Sequence, residues 1–156
     1  MKPVVLLVAA LVLLASVAKA QVPRGIRTCD ASATALNFGV FTGQRIDTGS
    51  TITLTCNGNG NNNPVVITLS EGTSNTFLDR VMFNGFNELH YNLYIDAGHS
   101  MIWGSGAGET QAKLLVFDFR QIGNVTQSTT VFARVPIQVV PAAGHYSDQI
   151  FVTVIF

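Results

Sequence analysis

Short stretches of alternating apolar and polar residues run along most of the chain, a pattern typical of half-buried β-strands. They predict strands at residues 50–56, 64–70, 89–95, 113–119, 130–139 and 146–156. These stretches are rich in Val, Ile, Thr and aromatic residues, which suit a pleated surface. Clusters of Gly and Asn predict turns between them, at 58–64, 71–75, 104–109 and 141–145. No segment keeps a helical period, so the pattern predicts an all-β fold, an antiparallel sandwich.

Pro136 interrupts the apolar run at 130–139. Proline has no amide hydrogen to donate to a neighbouring strand. We therefore expect this position to lie at an edge, at a bulge or where the chain changes sheets.

The final stretch, YSDQIFVTVIF (146–156), is apolar on both of its faces. One face carries Ile150, Val152, Val154 and Phe156. A strand of this kind is normally buried in a sheet with a neighbour on each side. The sequence has no later segment to serve as its second neighbour, so the pattern raises the question of what pairs with this strand.

The first twenty residues have the three parts of a secretory signal peptide. Lys2 is followed by the apolar run VVLLVAALVLLASVA, and Ala18-Lys19-Ala20 is a cleavage site of the A-x-A type. The apolar run is short for a membrane span of about 20 residues, so cleavage is favoured over a membrane anchor. The predicted signal peptide is residues 1–20, and the predicted mature chain, residues 21–156, suits one domain.

Loss of the signal peptide changes the charge balance. The whole chain has nine basic and nine acidic residues, and Lys2 and Lys19 leave with the signal peptide, so seven basic residues face nine acidic ones. No basic cluster is present, and the mature chain has no electrostatic basis for binding nucleic acid or an anionic membrane. We expect neither as a partner.

Cys29 and Cys56 are the only cysteines, and both lie in the predicted mature chain. Two cysteines in an exported protein most often form one disulfide. A metal site would need further ligands, and a nucleophilic cysteine is disfavoured as well. We therefore predict a Cys29–Cys56 disulfide.

No motif indicates catalysis or metal binding. His90, His99 and His145 are not at spacings that would bind a metal together, and we interpret them as surface residues. Ser105 lies in GSGAG (104–108), which superficially resembles a nucleophile loop. That loop requires a strand before it and a helix after it, and no helix is predicted here. The sequence therefore predicts no enzyme, no cofactor and no small-molecule substrate.

One alternative function stays open at this point. Tyr94 and Trp103 could contribute to an aromatic, sugar-binding surface, although aromatic residues in strands usually belong to the core. The alternative is a stand-alone secreted β-sandwich that binds a ligand in the manner of a lectin.

Three segments together carry a family resemblance. CDASATALNFGVF (29–41) combines a cysteine, a Ser/Ala-rich step and an NFG strand, and YNLYIDAGHSMIWGSG (91–106) ends in a WGSG turn. AGHYSDQIFVTVIF (143–156) has a G-x-Y-x-D turn before an alternating strand. In this order they resemble the spore coat U domain family, which includes pilin subunits of the archaic chaperone–usher systems. Ser105 replaces the Asp that is usual in the family's WGDG turn.

The resemblance implies an immunoglobulin-like sandwich that lacks its last strand. The gap is filled by a strand from a periplasmic chaperone and later by the N-terminal segment of a sister pilin subunit, with assembly at an outer-membrane usher. The acceptor groove beside the final strand is then lined partly by Ile150, Val152, Val154 and Phe156. The favoured function is a secreted, non-catalytic subunit of a pilus, fimbria or spore coat, which passes through the periplasm to the cell surface.

The segment before the first cysteine predicts a weak strand donor. QVPRGIRT (21–28) offers only Val22 and Ile26 as apolar plugs for a groove, and Pro23 lacks an amide hydrogen. We therefore expect the chain to accept a strand and to donate one weakly or not at all. Such a subunit would lie at a fibre tip or outside a polymer.

The second face of the final strand carries Phe151 and Ile155, where similar proteins tend to have Thr. We expect a second apolar contact to cover these two residues, either a loop of the same domain or a neighbouring subunit. The alternative is that they are isolated exposed residues, which are common on protein surfaces.

Overall fold

The computed structural model describes residues 5–7 and 25–156, except the side chains of residues 5–7, 121 and 122. The cleavage site at Ala20 and the plug residue Val22 lie outside the described residues. The strands are β1 (Val5–Leu7), β2 (Ile26–Ala33), β3 (Asn37–Val40), β4 (Ile46–Leu69), β5 (Arg80–Asn84), β6 (Asn87–Tyr94), β7 (Lys113–Val135) and β8 (Val152–Ile155). The one helical element in this part of the chain is a 3₁₀ turn at Gly72–Ser74. The predicted all-β fold is confirmed.

All strand pairs are antiparallel, and most belong to one sheet in the order β2-β4-β7-β6-β5. The C-terminal strand β8 joins this sheet through the second half of β4. β3 stands apart and pairs with β1. The sheet curls around one apolar core, which gives the predicted immunoglobulin-like sandwich. Among the described residues, no helix has the length and apolar character needed to cross a membrane.

Two long antiparallel strands, β4 and β7, form the centre of the domain, and here the sequence prediction was wrong. The prediction had two strands, at 50–56 and 64–70, with a turn between them, whereas β4 runs unbroken for 24 residues. Likewise, the predicted strands 113–119 and 130–139 are parts of β7, which is 23 residues long. Each of the two long strands therefore contributes to two regions of the curled sheet.

The Gly- and Asn-rich cluster at 58–64 forms an irregularity in the ladder in place of a turn. The register between β4 and β7 shifts between Gly58 and Gly60 and again between Gly60 and Asn63. Gly60 and Asn62 take positive φ angles of 82° and 58°. The Asn63 side-chain amide donates to the carbonyl of Phe117 over 3.0 Å. Such bulges bend and twist a strand, which lets β4 continue around the core.

The C-terminal end of β7 is set by Pro136. β7 stops at Val135, directly before the proline, as expected for a residue with no amide hydrogen.

The sequence prediction missed β5, which pairs with β6 through a short turn at Asn84–Asn87. Gly85 takes a φ of 61° there. β5 begins with a buried arginine, followed by three apolar residues. Its sequence therefore lacks the apolar–polar alternation that predicts a strand.

The core is one continuous cluster of apolar side chains from both halves of the long strands. Its largest fully buried members include Trp103, Tyr91, Tyr146, Phe41 and Phe117. Burying an aliphatic or aromatic side chain of this size contributes about 1.5–3 kcal/mol each. The three aromatic residues Tyr91, Trp103 and Tyr146 come from the segments that carry the family resemblance.

The disulfide between Cys29 and Cys56 is present, with the two residues directly opposite each other in β2 and β4. The Cys56 side chain is fully buried and that of Cys29 is half-buried. The bond closes a chain segment with a sequence separation of 27 residues. It links the N-terminal edge strand β2 to the central strand β4.

We predict that replacing both cysteines by alanine lowers the free energy of unfolding by about 3 kcal/mol, because a closed loop of this length restricts the unfolded chain. Urea denaturation of the wild-type protein and the double variant measures the difference. The intact mass should rise by two hydrogens on reduction. Two thiols that alkylate freely in the native protein would contradict this account.

Candidate functional site: the strand edge of β8

The candidate site is the side of β8 that faces away from β4. β8 pairs with β4 in register, from Val66 opposite Ile155 to Leu69 opposite Val152. No strand among the described residues pairs with the other side of β8. A row of main-chain N–H and C=O groups on such an edge is a template for another strand.

The predicted groove residues lie together on the core side of this edge strand. Ile150, Val152 and Val154 are 3%, 1% and 6% exposed, and Phe156 packs half-buried against the same core. Their alternation therefore places them on one face, as the sequence pattern indicated. The side chains of Ile150, Val152 and Val154 are enclosed in the core, and Ile150 also lines a pocket that opens to the surface.

That pocket lies where the chain enters β3 and β8. Its floor is apolar and includes Ile52, Leu69, Tyr91 and Val131, and its free volume is about 30 Å³. Leu36, just before β3, and Ile150, just before β8, both line it. Thr34 and Ala35 form its rim. The pocket is a small, open apolar depression beside the residues that lead into β3 and β8.

β3 forms the other side of this region. Its Phe38 is 4% exposed and contacts the Tyr91 ring edge-on, with 5.7 Å between ring centroids. In the described part of the chain, β3 pairs only with β1, where Val5 lies opposite Val40 and Leu6 opposite Gly39. β1 belongs to the predicted signal peptide. An apolar N-terminal strand therefore occupies the edge of β3 in the uncleaved chain.

A buried polar network fixes the turn that leads into β8. The Asp148 carboxylate accepts hydrogen bonds from the Thr73 backbone N–H at 2.9 Å and hydroxyl at 2.7 Å, and from the Tyr91 hydroxyl at 2.6 Å. Tyr146 is fully buried and its hydroxyl donates to the Ala142 carbonyl over 2.6 Å. These are the Tyr and Asp of the G-x-Y-x-D turn. Their bonds hold the start of β8 against β6 and the 3₁₀ turn.

Arg80 supports the end of β4 to which β8 pairs, and the sequence analysis missed it. The side chain is fully buried and donates to the carbonyls of Ser70 and Trp103, at 2.8 Å each, and to Asn92. Ser70 in turn donates its N–H to the Phe151 carbonyl over 2.9 Å. Burial lowers the pKa of Arg80, although an arginine keeps its proton throughout the physiological range.

The alternative sugar-binding platform is wrong. Trp103 is fully buried, and its indole N–H donates to the Ile67 carbonyl over 2.9 Å. Tyr94 is half-buried and packs edge-on against His99, with centroids 5.0 Å apart. The two aromatic residues therefore form no common exposed surface. The buried indole also explains the Trp of the WGSG segment as a core residue.

The histidines and the loop serine have other surroundings. The side chain of His99 is only 5% exposed, which corrects its interpretation as a surface residue. Its Nδ1 accepts a hydrogen bond from Arg134 over 3.0 Å. His90 is partly exposed, with its Nδ1 2.8 Å from an Asp79 carboxylate oxygen. Ser105 is exposed in a loop that no helix follows. In the described ranges, no three His, Cys, Asp or Glu side chains are placed to hold a metal.

Comparisons with known proteins agree with this architecture. A family model named Spore Coat Protein U domain matches residues 15–153. A search of curated proteins finds no match. The fold is similar to a chain in a crystal structure of the CsuC–CsuE chaperone–tip adhesion subunit pre-assembly complex, from the archaic chaperone–usher Csu pili of Acinetobacter baumannii. The TM-score is 0.53 at 22% identity, over 83% of this chain and 40% of that one. This chain thus matches less than half the length of the solved one.

We predict that Tyr91→Phe lowers the free energy of unfolding by about 1–3 kcal/mol, because the buried Asp148 carboxylate loses a hydrogen-bond donor. Urea denaturation measures the loss. Tyr94→Phe, on the same strand, is the matched control and should change it far less.

The same hydroxyl should make the fold sensitive to alkali. Burial, together with the nearby Asp148, raises the pKa of Tyr91 well above its usual value of 10.0. The folded state thus favours the protonated phenol, and this contribution is complete below about pH 10 and is lost as the pH rises towards the folded-state pKa. The melting temperature should therefore fall more steeply above pH 10 in the wild type than in Tyr91→Phe. Parallel curves for the two proteins would contradict this assignment.

Proposed function

The chain belongs to the Spore Coat Protein U domain family, and on this premise we propose that it is a non-catalytic subunit of a surface fibre of the chaperone–usher type. The observation that carries the proposal is the edge of β8, which is apolar towards the core and lacks a second strand among the described residues. A strand supplied by a partner would complete the sandwich there.

Strand addition gives such a partner both affinity and register. The main-chain groups of β8 would pair with the added strand, and alternate side chains of that strand would enter apolar pockets. Each hydrogen bond contributes about 0.5–1.5 kcal/mol. The pocket lined by Leu36 and Ile150 is the place for one such side chain. Without a partner, an apolar edge of this kind favours aggregation.

The proposed partners act in sequence. After export and cleavage of the signal peptide after Ala20, a periplasmic chaperone supplies the first strand. A sister subunit replaces it at an outer-membrane usher, and the fibre then reaches the cell surface. The similarity to a chain of a chaperone–tip adhesion subunit complex supports this order.

Cleavage of the signal peptide would also prepare the second side of the groove. β1, which pairs with β3, lies within the predicted signal peptide. Its removal would release the main-chain groups of Asn37–Val40. Both β3 and β8 would then offer an edge to the incoming strand, with the apolar pocket between their entries.

The position of Ile26 bears on strand donation. This residue was one of two predicted plugs, but it lies in β2, paired with Gly58 of β4 and packed against the core. It is therefore held by its own domain, and Val22 is left as the single plug of the segment 21–28. We propose that the subunit accepts a strand and donates one poorly, as a tip subunit would.

We predict that Val152→Asp abolishes chaperone binding, because an unpaired charge in the core side of β8 costs several kcal/mol. Thr126→Asp adds the same charge on the exposed face of β7 and should bind as the wild type does. Ala35→Trp leaves the core unchanged and covers the pocket rim, and should weaken binding about tenfold or more. The binding of all three variants is measured by pull-down from the periplasm, after co-expression with the periplasmic chaperone of the same chaperone–usher system. Wild-type binding by both Val152→Asp and Ala35→Trp would place the groove elsewhere.

We also predict that the subunit does not polymerise by itself. The chaperone-bound subunit, incubated alone or with purified usher, should form no regular multimers, because its N-terminal segment offers too few plugs. Electrophoresis in mild detergent without heating is the measurement. Ladders that disappear on deletion of residues 21–24, which leaves β2 intact, would show that this segment donates after all.

A further inference from the structure

The outer face of the sheet next to β8 carries an unusual apolar row. Val66 of β4 lies opposite Ile155 of β8 on one side and opposite Leu114 of β7 on the other. These three residues alternate with core residues, so their side chains share the solvent face of three adjacent strands. Ile155 and Leu114 are 53% and 56% exposed. Pro64 and Val116, which is 43% exposed, form the next pair on the same face.

Just beyond the bulge, the outward residues of β4 and β7 are polar, which contrasts with this row. Asn57 donates a hydrogen bond to Asn124 over 2.8 Å. Thr53 is hydrogen-bonded to Ser128 and Thr55 to Thr126, each over 2.9 Å. Two strands thus change from polar to apolar on one face, and the apolar part is the one beside β8. We call Pro64, Val66, Leu114, Val116 and Ile155 the outer row.

The structure excludes one of the explanations for Ile155. A loop of the same domain would have buried it, but it and Leu114 are more than half exposed. The outer row begins on β8, whose second side pairs with no strand of the described residues, and continues inward across β4 to β7. A strand added to β8 would place a side chain about 4.5–5.5 Å from Ile155 on the same face. The row is therefore continuous with the proposed strand-addition edge.

We propose that the periplasmic chaperone, as the partner that first adds a strand to β8, also covers the outer row. The inference rests on the proposed function and extends it to a second contact. The added strand carries an apolar residue that faces outward beside Ile155, so that this strand is apolar on both faces at that point. The body of the same partner then packs on Leu114 and Val116, which lie two strands further in and beyond the reach of the strand itself.

Asp118 limits the row at one end. It follows Val116 on the same face of β7, and its carboxylate accepts a hydrogen bond from the Asn62 backbone N–H over 2.6 Å. A partner that covers the row therefore meets an apolar centre with a polar boundary. This is the anatomy of a protein–protein contact, in which a desolvated apolar centre is surrounded by polar residues.

The test compares the dissociation rates of complexes between variants of this protein and the periplasmic chaperone of the same chaperone–usher system. The row variant is Leu114→Thr with Val116→Thr, which keeps the β-strand propensity of both positions. The control, Ile137→Thr with Val139→Thr, removes two exposed apolar side chains outside the row, which are 72% and 91% exposed. Ile155→Thr is measured alone as a second row variant. Circular dichroism of each complex confirms that the fold is retained.

We expect both row variants to dissociate at least about fivefold faster than the wild type, as truncation of a significant interface side chain does. The control should dissociate at the wild-type rate. Unchanged rates for the row variants, with binding abolished by Val152→Asp, would overturn this inference and leave the proposed function intact. Unchanged binding by Val152→Asp and Ala35→Trp would remove the proposed function and the inference with it. Loss of self-association of the complexes in sedimentation, at an unchanged dissociation rate, would assign the row to a second copy and also overturn the inference.

Discussion

The structure depends on the main-chain edge of the C-terminal strand. In the described part of the chain β8 pairs only with β4, yet its core-facing residues Val152 and Val154 are only 1% and 6% exposed. An edge strand in a soluble protein is ordinarily short, charged or covered. β8 is short but apolar on both faces, with Val152 and Val154 inward and Ile155 outward. This combination supports the proposal that another chain completes the sandwich.

The remaining architecture holds this edge in position. In the bulged pair of β4 and β7, β4 pairs with β8 along its second half and with the disulfide-linked β2 along its first half. The Arg80 network fixes the end of β4, and the Asp148 network fixes the turn into β8. Both networks are buried and hydrogen-bonded, so breaking either would leave an unpaired polar group in the core. The side chains of the family motifs therefore hold β8 in place. The proposed partner strand would contact the main-chain groups of β8, which carry no sequence motif.

Local patterns in the sequence predicted the features that depend on neighbouring residues alone. The two-residue period assigned Ile150, Val152 and Val154 to one face correctly, because alternation in a strand is independent of its partners. The Gly–Asn cluster was misread because Gly60 and Asn62 supply positive φ angles equally well to a turn and to a bulge. Only the matching length of β7, more than fifty residues later, decides between them. Arg80 escaped notice for a similar reason, since its carbonyl partners are brought together by the fold.

The most direct test of the central claim is amide hydrogen exchange of β8 and β3, in the cleaved subunit before and after it receives a strand from the chaperone. We predict that alternate amides of residues 152–155, those on the side away from β4, exchange rapidly in the free subunit and become protected in the complex. Amides of residues 37–40 should become protected with them. A stable complex in which neither set changes its exchange rate would contradict the claim that β8 is completed by a partner's strand.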